Sequence, residues 1–165
     1  MDKQIAIPGK WRRVFDFEFG KRAFFTIETD RFQIVLSGGS VCVFGRDTHA
    51  QCFQMRGFHY LYTGDVSPDG QLLAALENGK HFFLFSLQTF TLIRRVTLPR
   101  GYESIDGYPT FSEDGSELIV PVSIYRAGEY RHFLCRYEMA DCQLRSMQEV
   151  GYDAFPAWPL PPLPQ

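Results

Sequence analysis

The residues that could carry chemistry are scattered along this 165-residue chain. None of the histidines lies at the short spacing from another that a zinc site uses. Gly38–Cys42 is the nearest match to a nucleophile elbow, but it lacks the final glycine and is predicted to lie in a hairpin turn. We therefore predict no catalytic residue, no metal site and no cofactor. The four histidines are His49, His59, His81 and His132.

Two carboxylates precede glycines at matching places and could be read as an acid and a base. Asp69-Gly70 and Asp114-Gly115 each stand before an apolar run. Asp-Gly is also typical of tight turns, because glycine tolerates the positive φ that such turns require. Since the pair recurs in the same setting, we interpret both aspartates as structural.

The cysteines show no metal or redox spacing. Cys42, Cys52, Cys135 and Cys142 contain no closely spaced pair, and four are too few for a disulfide scaffold in a chain of this length. We predict buried, reduced thiols, with a cross-strand pair between Cys135 and Cys142 as the alternative.

Composition indicates a globular chain without a bulk charge. Hydrophobic residues make up 45%, charged residues 22%, and the net charge is -2. No positive field therefore favours a nucleic-acid partner, and Arg12-Arg13 and Arg94-Arg95 are expected to be solvated on strands. The N-terminus has no apolar signal region, and no apolar run reaches the ~18 residues that span a bilayer. We expect a cytoplasmic protein with no membrane partner.

Short apolar or alternating runs, broken by Gly, Asp, Pro and Ser, predict an all-β chain. Two of these runs repeat: Ser67–Ala75 aligns with Ser112–Val120, 45 residues further on. A hairpin recurs as well, with Phe44, Phe85 and Tyr137 at equivalent positions, and Cys42, Phe83 and Cys135 in its first strand. A third recurrent element is glycine, an aromatic residue and a titratable residue: Gly57-Phe58-His59, Gly101-Tyr102-Glu103 and Gly151-Tyr152-Asp153.

Four short strands in about 40–50 residues correspond to one blade of a β-propeller. The pattern Ser67-Pro68-Asp69-Gly70-x-x-Leu73-Ala74, followed by the Phe83–Thr89 hairpin, resembles WD40-like propellers, including YVTN-type repeats. The resemblance implies a partial β-propeller of about three four-stranded antiparallel blades. We predict an N-terminal lead (1–10), a repeat domain (11–150) with blades at 22–55, 60–98 and 108–148, and a Pro-rich tail (151–165).

Propellers have four or more blades, so three blades leave two apolar flanks. Three outcomes are open: the chain is part of a longer propeller, it pairs with itself or another chain, or it forms an open arc. We favour a non-enzymatic protein-interaction module that binds a protein partner or a second copy through these flanks. The tail contains Pro161-x-x-Pro164, a minimal polyproline ligand, but covering a blade edge with Trp158 is the favoured role.

The blade connectors are the best candidates for binding. Tyrosines with interspersed charge provide a large amphipathic surface at low entropic cost. The alternatives are that the aromatic residues only fill blade junctions, or that His59, Glu103, Asp106 and Asp153 line the pocket of a small-molecule-binding or hydrolytic enzyme. The predicted binding residues are Phe58, His59, Tyr62, Tyr102, Glu103, Asp106, Tyr108, Tyr152 and Asp153.

Overall fold

The computed structural model describes residues 2–6, 12–16, 24–105 and 107–155. These ranges consist of antiparallel strands, their turns and one short 3₁₀ helix, Tyr152–Ala154, which confirms the all-β prediction. The chain divides into two compact units, the first running to Tyr62 and the second from Thr63 to Ala157. Within the described ranges, no helix is long and apolar enough to cross a membrane.

The first unit is an antiparallel run in which each strand pairs with the next. The fourth strand illustrates the sequence pattern that favours these strands. Buried Phe32, Ile34 and Leu36 alternate with half-exposed residues, which is the period-two pattern of a strand with one buried face. The strands are β1 (Asp2–Ala6), β2 (Arg12–Asp16), β3 (Phe24–Glu28), β4 (Phe32–Gly45) and β5 (Gln51–Val66), which continues into the second unit.

Two predictions for the first unit need correction. Gly38–Cys42 does not form a hairpin turn, because β4 runs through it with a register shift between Gly38 and Ser40. Gly57-Phe58-His59 is not a loop but part of β5. The predicted N-terminal lead (1–10) contains strand β1, Asp2–Ala6. In both corrected cases pairing with the neighbouring strand absorbs the glycines as a bulge.

The second unit contains two four-stranded antiparallel arrangements. In the first, the end of β5 is followed by β6 (Leu72–Glu77), β7 (His81–Ser86) and β8 (Thr91–Thr97). The other comprises β9 (Thr110–Phe111), β10 (Glu117–Arg126), β11 (Glu129–Glu138) and β12 (Gln143–Val150), each paired with the next. Most residues of β6 and β7 are buried, whereas β8 and β12 are mostly exposed. Arg94 and Arg95 on β8 are exposed, as predicted.

The two Asp-Gly turns are built identically. The Asp69 carboxylate accepts hydrogen bonds from the Ser67 hydroxyl (2.6 Å) and the Gln71 amide (3.0 Å). Asp114 accepts in the same way from the Ser112 hydroxyl (2.8 Å) and the Ser116 amide (3.0 Å). The following glycines have φ of +76° and +74°. Both aspartates therefore serve to form turns, as predicted.

The hairpin repeat is present in three copies. A register shift interrupts the pairing between Val43 and Phe44, between Leu84 and Phe85, and between Arg136 and Tyr137. These are the positions that the sequence aligns. In each copy the residue five positions after the aligned aromatic residue adopts the left-handed conformation. These residues are His49 (φ 56°), Phe90 (φ 54°) and Cys142 (φ 57°). The three copies therefore share a backbone geometry, a bulge followed by a turn, although their residues differ.

The cysteines follow the prediction only in part. All four are free, and Cys135 is buried in β11, where burial raises the pKa of its thiol to about 12. Cys42 and Cys142 are half-exposed, and Cys52 is exposed. The prediction that all four cysteines are buried is therefore wrong. The other three side chains lie on β4, β5 and the β11–β12 turn, where the surface is less covered. The Pro-rich segment with Trp158 and Pro161-x-x-Pro164 lies outside the described residues.

We predict that His49→Gly stabilises the protein. The left-handed conformation is costly for a residue with a Cβ atom but not for glycine, so the free energy of unfolding should rise by about 0.5–1 kcal/mol. Ala50→Gly is the matched control, because Ala50 has no positive φ, and it should lower that free energy. Urea unfolding measures both variants. A loss of stability in His49→Gly would contradict the prediction.

We also predict a pH-dependent contribution from Asp114. Hydrogen bonds from the Ser116 amide and hydroxyl and the Ser112 hydroxyl lower its pKa from 3.8 to about 2. A lowered folded-state pKa stabilises the fold above the unfolded value, and this effect disappears as the pH falls through the folded value. Asp114→Ala should therefore lower Tm by roughly 2–4 °C near neutral pH, with the difference shrinking between about pH 4 and pH 2. Glu113→Ala, at the exposed neighbouring position, should show no such pH dependence.

Candidate functional site

A tight hairpin places aromatic residues on one face of the second unit. Ala127 and Gly128 join β10 to β11 with φ of 51° and 82°, the positive values of a two-residue type I′ turn. In this register Tyr125 faces Tyr130, and Ser123 faces His132. Residues directly opposite each other point to the same side of an antiparallel pair. The hairpin therefore presents these four side chains together.

The aromatic rings continue from the hairpin into the segment after β12. The Tyr125 and Tyr130 ring centroids are 5.0 Å apart, and Tyr130 stacks on His132 at 6.5 Å. His132 is 5.2 Å from both Tyr152 and Phe155. Tyr125, Tyr130 and Tyr152 are 62%, 55% and 58% exposed, whereas Phe155 is 6% exposed. We call Tyr125, Tyr130, His132 and Tyr152 the tyrosine face.

A hydrogen bond fixes the histidine at the centre of this face. His132 Nδ1 lies 2.8 Å from the Ser123 hydroxyl, and Ser123 is 4% exposed. The imidazole is therefore held at one edge by β10 and packed on its sides by Tyr130 and Tyr152. Because these contacts hold the rings in place in the unbound protein, a ligand would lose little side-chain entropy on binding them.

The connector after β8 reaches the same hairpin from the edge of β10. Glu103 and Ser123 exchange backbone hydrogen bonds of 2.9 and 2.8 Å. This pairing places the Glu103 side chain on the same side as that of Ser123. The Tyr102 ring instead packs edge-on against Phe133, with centroids 5.2 Å apart. Phe133 adjoins His132 on the strand and points to the opposite side, so Tyr102 is separated from the tyrosine face.

An exposed ion pair lies beside the contact between Tyr102 and Phe133. Arg131 donates to both Glu149 carboxylate oxygens, at 2.8 and 2.6 Å, and this hydrogen bonding lowers the pKa of Glu149. The two side chains are 44% and 48% exposed. Solvent screens a pair this exposed, so it contributes little to stability. It does keep Arg131 over the Phe133 ring, 5.9 Å from its centroid.

The predicted binding residues are distributed over both units. Phe58, His59 and Tyr62 belong to β5 of the first unit, where His59 is exposed and the other two are half-buried. In the second unit, Glu103 pairs with Ser123 of β10, Tyr152 packs on His132 of β11, and exposed Asp153 follows Tyr152.

One further predicted residue contributes no surface, and another lies outside the described residues. Tyr108 is 4% exposed, so its ring belongs to the core. Asp106 lies outside the described residues.

Sequence reasoning missed three of the four residues of the tyrosine face. Tyr125 and Tyr130 were not among the predicted binding residues, and His132 was considered only as a metal ligand. The signal was a short Ala-Gly turn with a tyrosine on each side, which predicts a hairpin with two aromatic residues directly opposite each other. No group of three or more His, Cys, Asp or Glu residues in the described ranges could hold a metal ion.

Comparison with known proteins gives a fold but no family. No family model matches the chain, and no curated protein matches it. Among solved structures, the chain is similar to Kuenenia stuttgartiensis hydrazine synthase with a TM-score of 0.65 and 12% identity, over 88% of this chain and 47% of that one. It is also similar to the WD40 repeats of RRP9, with a TM-score of 0.59 and 12% identity, over 74% of this chain and 36% of that one.

The structure of U3-55K gives the same TM-score of 0.59 and 12% identity, over 74% of this chain and 37% of that one. The chain thus spans less than half the length of these three structures. At 12% identity, the similarity concerns the fold. The chain forms a partial β-propeller of about three four-stranded antiparallel blades, as its repeats predict.

We predict that mutating an exposed residue of the aromatic cluster changes the free energy of unfolding much less than mutating a buried one. Phe155→Ala should lower the free energy of unfolding by about 3–5 kcal/mol, since it removes a buried aromatic side chain. Tyr152→Ala, at an exposed position in contact with Phe155, should change it by about 0.5 kcal/mol or less. Chemical denaturation measures both. Equal losses would mean that Tyr152 fills a junction, the alternative to a binding surface.

Proposed function

We propose that this chain is a non-enzymatic protein-interaction module that binds its partner through the tyrosine face. The observation that carries the proposal is the row of three exposed tyrosines around His132, held by ring contacts of 5.0–6.5 Å. Exposed large aromatic side chains that cluster in this way are typical of the centre of protein interfaces.

The chemistry of the tyrosine face favours a polypeptide ligand. Tyrosine combines an apolar ring with a hydroxyl group, so one side chain can pack against an apolar residue and bond to a backbone amide or carbonyl. Glu103, on the Ser123 side of the sheet, and exposed Asp153 add negative charge near the rings. Arg126 and Glu129, opposite each other at the hairpin tip, add one charge of each sign.

The fold supports the proposal only in general terms, because one fold hosts many functions. One of the similar structures is described as the WD40 repeats of RRP9 and another as U3-55K. Both align over the same share of this chain. The uncovered blade flanks expected from the sequence would make a second copy one form of the partner. A net charge of -2 makes a nucleic-acid partner less favourable.

The enzymatic alternative requires His59, Glu103, Asp106 and Asp153 to line one pocket. His59 lies in the first unit, whereas Glu103 and Asp153 lie in the second. Asp106 is outside the described residues. No single unit therefore brings this set together, and the tyrosine face has the stronger support.

We predict that peptides selected for binding from a displayed random library require the tyrosine face. Tyr125→Ser combined with Tyr130→Ser should weaken their binding by about tenfold or more, since interface aromatic residues dominate binding energy. Leu92→Ser combined with Ile93→Ser is the matched control, because these β8 side chains are also large, apolar and exposed (37% and 51%). Fluorescence polarisation with the synthesised peptides gives the affinities.

Circular dichroism must show both double variants folded. If the β8 variant loses binding and the tyrosine variant keeps it, the proposed surface is wrong. Light scattering of the same proteins tests for a second copy as partner. A wild-type dimer that dissociates in the tyrosine variant, but not in the β8 variant, would identify self-association through this face.

A further inference from the structure

A polar depression of about 700 Å³ lies on the β4–β5 pair of the first unit. It forms where the register of the two strands breaks. Gly38 pairs with Leu61, but Ser40 pairs with Arg56. Four residues of β5 therefore stand opposite the single residue Gly39 of β4. A bulge of this size bends the strand and leaves a concave surface.

Glycines keep this depression open. Gly38 and Gly57 have φ of +55° and +100°, and a Cβ atom built on either would meet no atom within 4 Å. A Cβ on Gly39 would meet the Phe58 carbonyl oxygen at 3.2 Å. Missing side chains thus expose the backbone at the centre of the depression, the setting in which a ligand can approach closely.

The side chains around the glycines are hydrogen-bond donors. Arg56, His59 and Tyr60 contribute from β5, and Ser37 and Ser40 contribute hydroxyl groups from β4. Among the residues that the structure describes, no carboxylate lines the depression. His59 and Arg56 are exposed, and Tyr60 is 46% exposed. The site therefore combines the permanent positive charge of an arginine with further hydrogen-bond donors, in a protein whose net charge is -2.

The arginine is held without being neutralised. In the amide orientation that satisfies both groups, the Gln54 oxygen accepts from Arg56 Nε and Nη2, each at 3.2 Å. The register explains this contact, since Gln54 and Arg56 pair with Cys42 and Ser40 on one face of the hairpin. Among the described ion pairs, none involves Arg56. Its remaining N–H groups are available to an external anion.

We infer that the β4–β5 depression binds the phosphate group of a phosphate monoester. Guanidinium groups bind phosphate through charge-assisted hydrogen bonds, and the hydroxyl, imidazole and backbone donors can complete the coordination of its oxygens. The volume of about 700 Å³ exceeds what a phosphate group fills and leaves room for the organic group attached to it. This site lies in the first unit and is independent of the partner-binding role proposed for the tyrosine face.

The inference is tested by titrating the full chain with O-phosphoserine at about 0.15 M KCl, while amide chemical shifts are followed by NMR. We expect saturable shifts at Gly38, Gly39 and Gly57. Arg56→Gln should weaken binding by about tenfold or more, as expected for the loss of a charge-assisted hydrogen bond. Arg95→Gln, which removes an exposed arginine from β8, is the matched control and should leave the affinity unchanged.

Two further measurements make the result decisive. Tyr60→Phe removes only a hydroxyl group and should weaken binding without unfolding the chain. Serine in place of phosphoserine should produce no shifts, and inorganic phosphate should bind more weakly, since it lacks the organic group. Equal effects of Arg56→Gln and Arg95→Gln, or shifts spread over both units, would mean non-specific charge attraction and overturn the inference. Peptide binding to the tyrosine face is measured separately, so either proposal can fail without the other.

Discussion

Two neighbouring residues, Glu103 and Ser104, hold the second unit together through four backbone hydrogen bonds. Ser104 exchanges bonds of 2.9 and 2.7 Å with Gly79, in the turn between β6 and β7, and Glu103 exchanges bonds of 2.9 and 2.8 Å with Ser123 of β10. Ser104 has no exposed surface, so its polar groups must be satisfied within the protein. This constraint joins the two four-stranded arrangements. It also fixes where Tyr102 and Glu103 stand relative to the β10–β11 hairpin.

Side chains reinforce this junction across the same two arrangements. The buried Asp65 carboxylate, at the end of β5, accepts a hydrogen bond of 2.9 Å from the Phe111 amide of β9. The Phe82 and Tyr137 rings meet edge-on at 4.9 Å, and burial raises the pKa of the Tyr137 hydroxyl. The core is therefore formed mainly by the central strands. The outer strands β8 and β12 and the hairpin tip are left exposed, and the tip carries the tyrosine face.

Predictions from sequence succeeded where the determinants were local. The Ser-x-Asp-Gly turns, the three aligned hairpins and the structural role of Asp69 and Asp114 follow from short-range turn chemistry, which is encoded within a few residues. Predictions failed where a neighbouring strand decides the conformation. Gly38–Cys42 and Gly57–His59 carry typical turn residues, yet pairing between β4 and β5 keeps both in strands. Tyr108 follows the connector pattern, but packing buries it.

The sequence by itself determined the all-β class, the repeat and the two Asp-Gly turns, because period-two patterning and glycine placement act within one hairpin. Only the tertiary structure decided which aromatic residues share a surface. Strand register sets Tyr125 opposite Tyr130, and the return of the chain after β12 adds Tyr152 to His132. Likewise, the break of register between β4 and β5 at Gly39 creates the β4–β5 depression. Such contacts join residues distant in the chain, and their geometry depends on pairing that no local pattern specifies.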